Sequence, residues 1–363
     1  MKKAIAFLHE RAEKTTFLES FVNACKQKDI DVKLVLLDSA YYRHRGKILW
    51  STYRNILTWG IKWEHKEYIS KSRNVVFVEH TQLSQRTGWS FDASGLYKDS
   101  RFCKEKLWNS VIVTKEKERE LREFIKKQFN FNLLKGGDKN GPLLITLQHD
   151  EDAPVRNYFE RSNVAKPVAL CVLELVKTFI NKDIPIIVRP HPLFIEEWNK
   201  IENLCIPLFN NNWSLSKSGS VYKIMKRCRG LITINSTTAC EALALGIPVA
   251  TLGSNIYSGS GLILECAPED GYNYDRLKLM NDYYEMFRGN GAWNEVIKDL
   301  TIKFLYTLMK HKMPMYPTTE DFIKNEDFNI WVNRAHNDES NKGGIREDVP
   351  HTLDGKFVKV DWR

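Results

Sequence analysis

The stretch LITINSTTACEALALGIPVATLG, residues 231–253, decides the fold class. LITI is an apolar, β-branched run of the kind buried in a parallel sheet. Asn235, Ser236, Thr237 and Thr238 then offer N-cap side chains. Residues 239–245 favour helix, with Glu241 inside the run, and Gly246 is placed to end it. Pro248 opens a second apolar run over 249–252. Strand, hydroxyl-rich turn, short helix, strand is the repeating unit of an open α/β sheet. The free N–H groups at such a helix start face the carboxyl edge of the strands, a place that suits a phosphate.

The same alternation runs outward in both directions. Upstream, 143–147 reads as a strand ending in Gln148-His149-Asp150, and 164–181 as a helix. Residues 184–188 read as a strand running into Arg189-Pro190-His191-Pro192, and 220–227 as a helix. Nearer the amino terminus, 3–8, 15–28 and 32–37 read as a βαβ opening. Residues 74–78 form a further strand that runs into Glu79-His80. Residues 81–100 read as a long polar loop carrying Asp92, 111–114 as a short strand and 115–128 as a charged helix. The run KGGDKNGP at 135–142 reads as a linker. Beyond it, helical periodicity returns at 293–309, and the tail from 337 is polar. These signals predict domains at 1–137 and 138–315, followed by an extension over 316–363.

The chain has 363 residues, with 54 Lys plus Arg against 45 Asp plus Glu, a formal charge of +9. That balance suits anionic partners without choosing among nucleic acid, membrane and small substrates. No recognised nucleic-acid module occurs, so nucleic acid is not an expected partner. Seven scattered cysteines without a CxxC pair argue against a zinc ribbon or a disulfide scaffold and fit a reducing compartment. No apolar run approaches the roughly 20 residues of a membrane span. A cytoplasmic location is expected. Residues 41–73 interleave eight Lys and Arg with Trp50, Trp59 and Trp63, and apolar residues recur there at helical spacing. Two readings stand: a basic amphipathic helix lying on the inner membrane surface, or a helix packed on its own sheet.

Four clusters fall at expected strand ends, where open α/β sheets bind ligands. Ser236, Thr237 and Thr238 could hold a phosphate at a helix start or could simply cap the helix. Glu241, one turn in, could take a ribose hydroxyl pair. In Arg189-Pro190-His191-Pro192 the prolines stiffen the backbone, and Arg189 and His191 suit a phosphate or carboxylate. Gln148-His149-Asp150 places a carboxylate where a nucleophile or base could act. Glu79-His80 places another where burial would raise its pKa. No P-loop, GxGxxG or HExxH occurs, and neither a metal nor a cofactor is expected.

In order, VFVEH (76–80), FDASGLYKDS (91–100), LQHD (147–150), RPHP (189–192) and NSTTACEALALGIPVATLG (235–253) resemble the bacterial capsule and O-antigen polysaccharide biosynthesis family that contains retaining β-Kdo glycosyltransferases. The resemblance runs over about 75–253. It implies a GT-B-like architecture, two Rossmann-like domains with a cleft between them, the first on the acceptor side and the second binding the nucleotide sugar. It implies CMP-Kdo as donor, a saccharide or glycolipid acceptor, and a product in capsule, O-antigen or lipopolysaccharide. Asp150 would be the nucleophile and Glu79 the acid/base. Gln148, Arg189, His191, Ser236, Thr237, Thr238 and Glu241 would line the donor site, with His80 and Asp92 on the acceptor side. Two other readings stay open: a related transferase using CMP-sialic acid or CDP-glycerol, and a non-catalytic basic protein on a membrane surface.

Overall fold

The structure is a computed structural model that describes residues 1–8, 17–36, 53–59, 74–83, 88–159, 165–209, 211–266, 273–280 and 292–337. The chain forms two α/β units of the Rossmann-like kind. One comprises Met1–Thr81, Gln85–Arg101 and His311–Arg363; the other comprises Gln82–Ser84 and Phe102–Lys310.

The first unit holds β1 (Lys2–Leu8), β2 (Ile30–Leu36), β3 (Asn55–Trp59), β4 (Asn74–His80), β5 (Gly88–Asp92) and β12 (Lys312–Pro314), in the order β12-β5-β4-β3-β1-β2. Strands β1 to β4 pair in parallel, while β5 and β12 join antiparallel. Helix Phe17–Gln27 crosses from β1 to β2 and buries Phe17, Leu18 and Phe21. Phe21 in turn packs against Phe322, Phe328 and Trp331, with ring centroids 5.5, 6.1 and 6.0 Å away.

Three expectations are corrected here. Residues 55–59, inside the segment read as an amphipathic helix, form a strand between β1 and β4 with Ile56 and Leu57 fully buried. A central parallel strand is covered on both faces, so it lacks the two-residue alternation that marks a half-exposed strand. The rest of 41–73, apart from 53 and 54, lies outside the described residues. The long polar loop contains β5, whose Trp89 and Phe91 are buried. The carboxyl-terminal part is not an appended extension: β12 pairs with β5, and helices Thr319–Lys324 and Glu326–Asn337 complete the first core.

The second unit holds β6 (Leu143–Thr146), β7 (Ile186–Arg189), β8 (Trp213–Leu215), β9 (Gly230–Thr233), β10 (Val249–Thr251) and β11 (Leu264–Glu265). All its pairings are parallel, in the order β11-β10-β9-β6-β7-β8. Counted from β6, this is the doubly wound order 3-2-1-4-5-6, and the order reverses between β6 and β9. Residues 231–253 fold as read: β9, helix Thr238–Leu245, a left-handed Gly246 at φ +83°, then β10. Gly246 donates its N–H to the carbonyls of Ala242 and Leu243, which closes the helix.

The expected boundary at residue 137 does not coincide with the division of the structure. Helix Lys115–Phe129 buries Leu121, Ile125 and Phe129 in the second unit. The supposed linker is stitched to helix Thr238–Leu245, because Leu134 N–H donates to Ala244 O (2.8 Å) and Gly136 N–H to Leu245 O (2.6 Å). Residues 111–114 are extended but pair with no strand among the described residues. All seven cysteines are buried, and none forms a disulfide among the described residues. Among the described residues no helix is long and apolar enough to cross a membrane.

Candidate active site

In the second unit the carboxyl edge of the sheet collects three of the four clusters. Of residues 231–253, Ser236, Thr237 and Thr238 alone are not buried. Ser236 Oγ accepts from Thr238 N–H (3.2 Å) and lies 2.9 Å from Thr238 Oγ1. Thr237 makes no capping bond. Tyr257, fully buried, donates its hydroxyl to Ser236 O (3.2 Å) and fixes the turn from beneath. Glu241 is buried one turn into the helix and accepts from Tyr222 OH (3.2 Å). Burial raises its pKa to about 7, against the opposing pull of the Tyr222 bond.

Beside this turn, Gln148, His149, Asp150, Pro190, His191 and Phe194 line one small cleft. The His149 ring stacks on Phe194, with centroids 3.9 Å apart. His191 Nδ1 accepts from Leu193 N–H (3.3 Å), which leaves Nε2 as the protonated nitrogen of the neutral ring. Burial holds His191 below its usual pKa, Asp152 opposing and His149 adding to the effect. Asp150 presents both carboxylate oxygens to Val168 N–H, at 3.2 and 3.3 Å, at the start of helix Val168–Phe179.

Two residues expected to meet the donor are used within the chain. Arg189 directs its guanidinium to the carbonyls of Ser216 (3.1 Å), Ser218 and Gly219 (2.6 Å), and so holds the loop after β8. Gln148 is buried, and its side-chain amide bonds Asn235 in both directions. Asn235 reads from sequence as one of several N-cap residues. Its role becomes visible only when β6 and β9 are neighbours.

The first unit presents a different edge. Glu79 Oε1 accepts from His80 N–H (2.9 Å), and Tyr97 OH lies 3.5 Å from Oε2. His80 stacks on Trp89 (4.6 Å) and meets the edge of Trp59 (5.5 Å). Asp92, expected on the acceptor side, is buried with 1% exposure. It accepts from the N–H groups of Ser94 (2.8 Å), Gly95 (3.1 Å) and Arg101 (2.8 Å). The Arg101 side chain grips Asp327 through two bonds of 3.0 and 3.1 Å and reaches Glu326 at 2.8 Å. His311 Nε2 lies 3.9 Å from Asp92 and 3.7 Å from Asp327. The D-x-x-G-x-x-x-x-S segment is therefore folded by Asp92 and anchored to the carboxyl-terminal helices through Arg101.

Residues 113–285 match the family described as capsule polysaccharide biosynthesis protein. The fold is similar to that of KpsC from Thermosulfurimonas dismutans, a beta Kdo 2,7 transferase. That comparison shows 18% identity over 83% of this chain and 99% of the other, at a TM-score of 0.50. A second KpsC structure from the same organism, a beta Kdo 2,4 transferase, shares 14% identity over 78% and 90% of the two chains, at a TM-score of 0.47. No curated protein sequence matches the chain. The matched residues include Gln148, Asp150, Arg189, His191 and the 236–241 turn, while Glu79, His80 and Asp92 lie upstream of them.

Proposed function

We propose that the chain is a retaining glycosyltransferase of capsule or lipopolysaccharide synthesis, moving Kdo from CMP-Kdo to a saccharide or glycolipid acceptor. One observation carries this reading. Within the residues that match the capsule polysaccharide biosynthesis model, Asp150, His191 and the Ser236–Thr238 hydroxyls lie along one carboxyl edge, around the point where strand order reverses.

In this reading the CMP phosphate meets the half-buried hydroxyls of Ser236, Thr237 and Thr238 at a helix start, together with His191 Nε2–H. Glu241 takes the ribose hydroxyls. Arg189 shapes the donor site indirectly, by holding the 216–219 loop. Asp150 attacks the anomeric carbon; its new C–O bond forms as the bond to the CMP phosphate breaks, and CMP departs. The acceptor hydroxyl then attacks the same carbon, releasing Asp150, while Glu79 takes the hydroxyl proton. Two inversions give net retention. No metal or cofactor takes part. A glycolipid acceptor would bring the protein to the inner face of the cytoplasmic membrane.

The test is transfer from CMP-Kdo to a panel of saccharide acceptors, with CMP-sialic acid and CDP-glycerol as rival donors. Transfer from CMP-Kdo with a β-linked product is expected. Transfer from CMP-sialic acid alone, or an α-linked product, overturns the reading.

A further inference from the structure

We infer that Asn235 is a positioning residue: it locks the Asp150-bearing segment 148–158 in register with the hydroxyl turn 236–238. The catalytic meaning of that register rests on the transfer reading above; the lock itself does not.

Asn235 follows β9 at the point where strand order reverses, and it is completely buried. Four parts of the second unit converge on it. Its N–H donates to Gln148 Oε1 (2.8 Å), and its Oδ1 accepts from Gln148 Nε2 (3.0 Å). Its Nδ2 donates to Pro154 O (2.7 Å), and its own carbonyl accepts from Asn255 Nδ2. Thus β9, the end of β6, helix Ala153–Tyr158 and the loop after β10 meet at one residue.

The orientation of every amide in this cluster is forced. Pro154 O can only accept, so the Asn235 nitrogen must face it. Asn235 Oδ1 therefore faces Gln148, which must present its nitrogen. Gln148 Oε1 is then left for Asn235 N–H, which can only donate. The same logic turns Asn255 Nδ2 toward Asn235 O and leaves Asn255 Oδ1 to accept from Ile256 N–H (2.6 Å). A closed set of this kind has one low-energy arrangement, and removing a member leaves buried groups without partners.

The far end of the same helix is also tied. Ser254 N–H donates to Tyr158 O (3.1 Å), and Gly253 N–H to Ile234 O (2.9 Å). A Cβ at Gly253 would stand 2.5 Å from Tyr158 O and 3.2 Å from Asn235 Nδ2, so the close approach requires glycine. Asp150 lies between Gln148 and Pro154, the two points on its own segment that Asn235 grips. Ser236 is the next residue after Asn235. One buried side chain thereby sets where the carboxylate stands relative to the turn.

The experiment uses the full chain with Asn235→Ala, Asn235→Asp and Gln148→Met. Asn235→Asp keeps the shape and removes the donor to Pro154 O. Gln148→Met keeps the volume and removes both bonds to Asn235, so a variant remains if Asn235→Ala fails to fold. Hydrogen exchange is read first, because it needs no activity. Amides of 152–159 should exchange at least about tenfold faster in each variant, with those of β1 to β4 unchanged. Unchanged exchange at 152–159 overturns the lock even if the protein proves not to be a transferase. With a donor in hand, kcat should fall about 10- to 100-fold while the Kd for CMP stays within about threefold. The loss in Asn235→Ala/Gln148→Met should resemble that of either single variant rather than their product. Multiplicative losses, or a weakened Kd with kcat intact, would remove the positioning role.

Discussion

The two sheets end in polar residues of the same types, yet they use them differently. In the first unit Asp92, Arg101 and Asp327 are buried and bonded to one another's segments. In the second, Ser236, Thr237, Thr238, His191 and Asp150 keep partial contact with solvent. A polar residue at a strand end is therefore not a site by virtue of its place. What separates the two edges is burial. Asp92, 1% exposed, serves three backbone N–H groups, whereas Asp150 is half-buried and meets Val168 N–H at a helix start. If the contrast is right, isosteric changes at the two aspartates should have opposite consequences.

The largest expected effect is on Asp150. Asp150→Asn keeps an oxygen for Val168 N–H, so the fold should hold. Loss of the attacking carboxylate should lower transfer from CMP-Kdo by at least about 10³-fold. CMP affinity, measured by calorimetry, should move by less than about threefold. Retained transfer would sink the nucleophile assignment.

Asp92→Asn should reverse the pattern. The amide NH2 must then face N–H groups that now meet oxygen, in a buried site. A loss of roughly 3 kcal/mol in urea unfolding is expected. The Asp92 carboxyl is held below its usual range: burial opposes this, but His311 and the backbone donors outweigh it. A carboxylate with a depressed folded pKa contributes stability above its unfolded value and loses it as pH falls through the folded one. The difference between wild type and Asp92→Asn should therefore shrink as pH falls below about 4. An unfolding midpoint unchanged by the substitution would break the comparison at its first unit.

Much of the second unit was legible because its strands and helices alternate within short reach. Residues 231–253 carry their own caps, their own terminator and both strands. The first unit hides its logic in distance. Strand β3 has buried residues on both faces, so Ile56 and Leu57 imitate a helical stripe. Strand β5 alternates Trp89 and Phe91 with Gly88, Ser90 and Asp92, and its polar members read as loop. Phe322, Phe328 and Trp331 complete a core whose other half is helix Phe17–Gln27. At the candidate site, residue type and strand-end placement could be read, but not whether a side chain's bonds were already used. Arg189 meets loop carbonyls from 27 to 30 residues away, and Gln148 meets a residue 87 positions on. No local pattern encodes either contact.

A smaller effect tests Glu241, which belongs to the second edge but is buried like Asp92. Its folded pKa, about 7, lies above the unfolded carboxylate value. The folded state thus binds more protons than the unfolded one between roughly pH 4.5 and 7, and stability falls as pH rises through that window. Glu241→Gln still accepts from Tyr222 OH and carries no charge to bury. It should match wild type near pH 4.5 and exceed it by on the order of 2 kcal/mol at pH 8. A constant difference across pH would show that Glu241 is not held neutral by its surroundings.

The smallest effect expected is at His191, and it asks whether the second edge binds or merely folds. Its Nδ1 accepts from Leu193 N–H, so the neutral ring carries its proton on Nε2. Burial lowers the ring's pKa, so at neutral pH a bond to phosphate would be one neutral donor and not an ion pair. A single such bond is worth about 1 kcal/mol, so His191→Ala should weaken CMP about five- to tenfold. That variant also removes the acceptor for Leu193 N–H, and a shifted loop could weaken CMP by itself. His191→Asn separates the two, because its side-chain oxygen stands where Nδ1 does and can accept from Leu193 N–H, while its shorter amide does not reach the Nε2 position. Equal loss in both variants places the Nε2 donor on the phosphate. Full recovery of affinity in His191→Asn, relative to alanine, assigns His191 to the loop, and the hydroxyl turn then holds the leaving group without it.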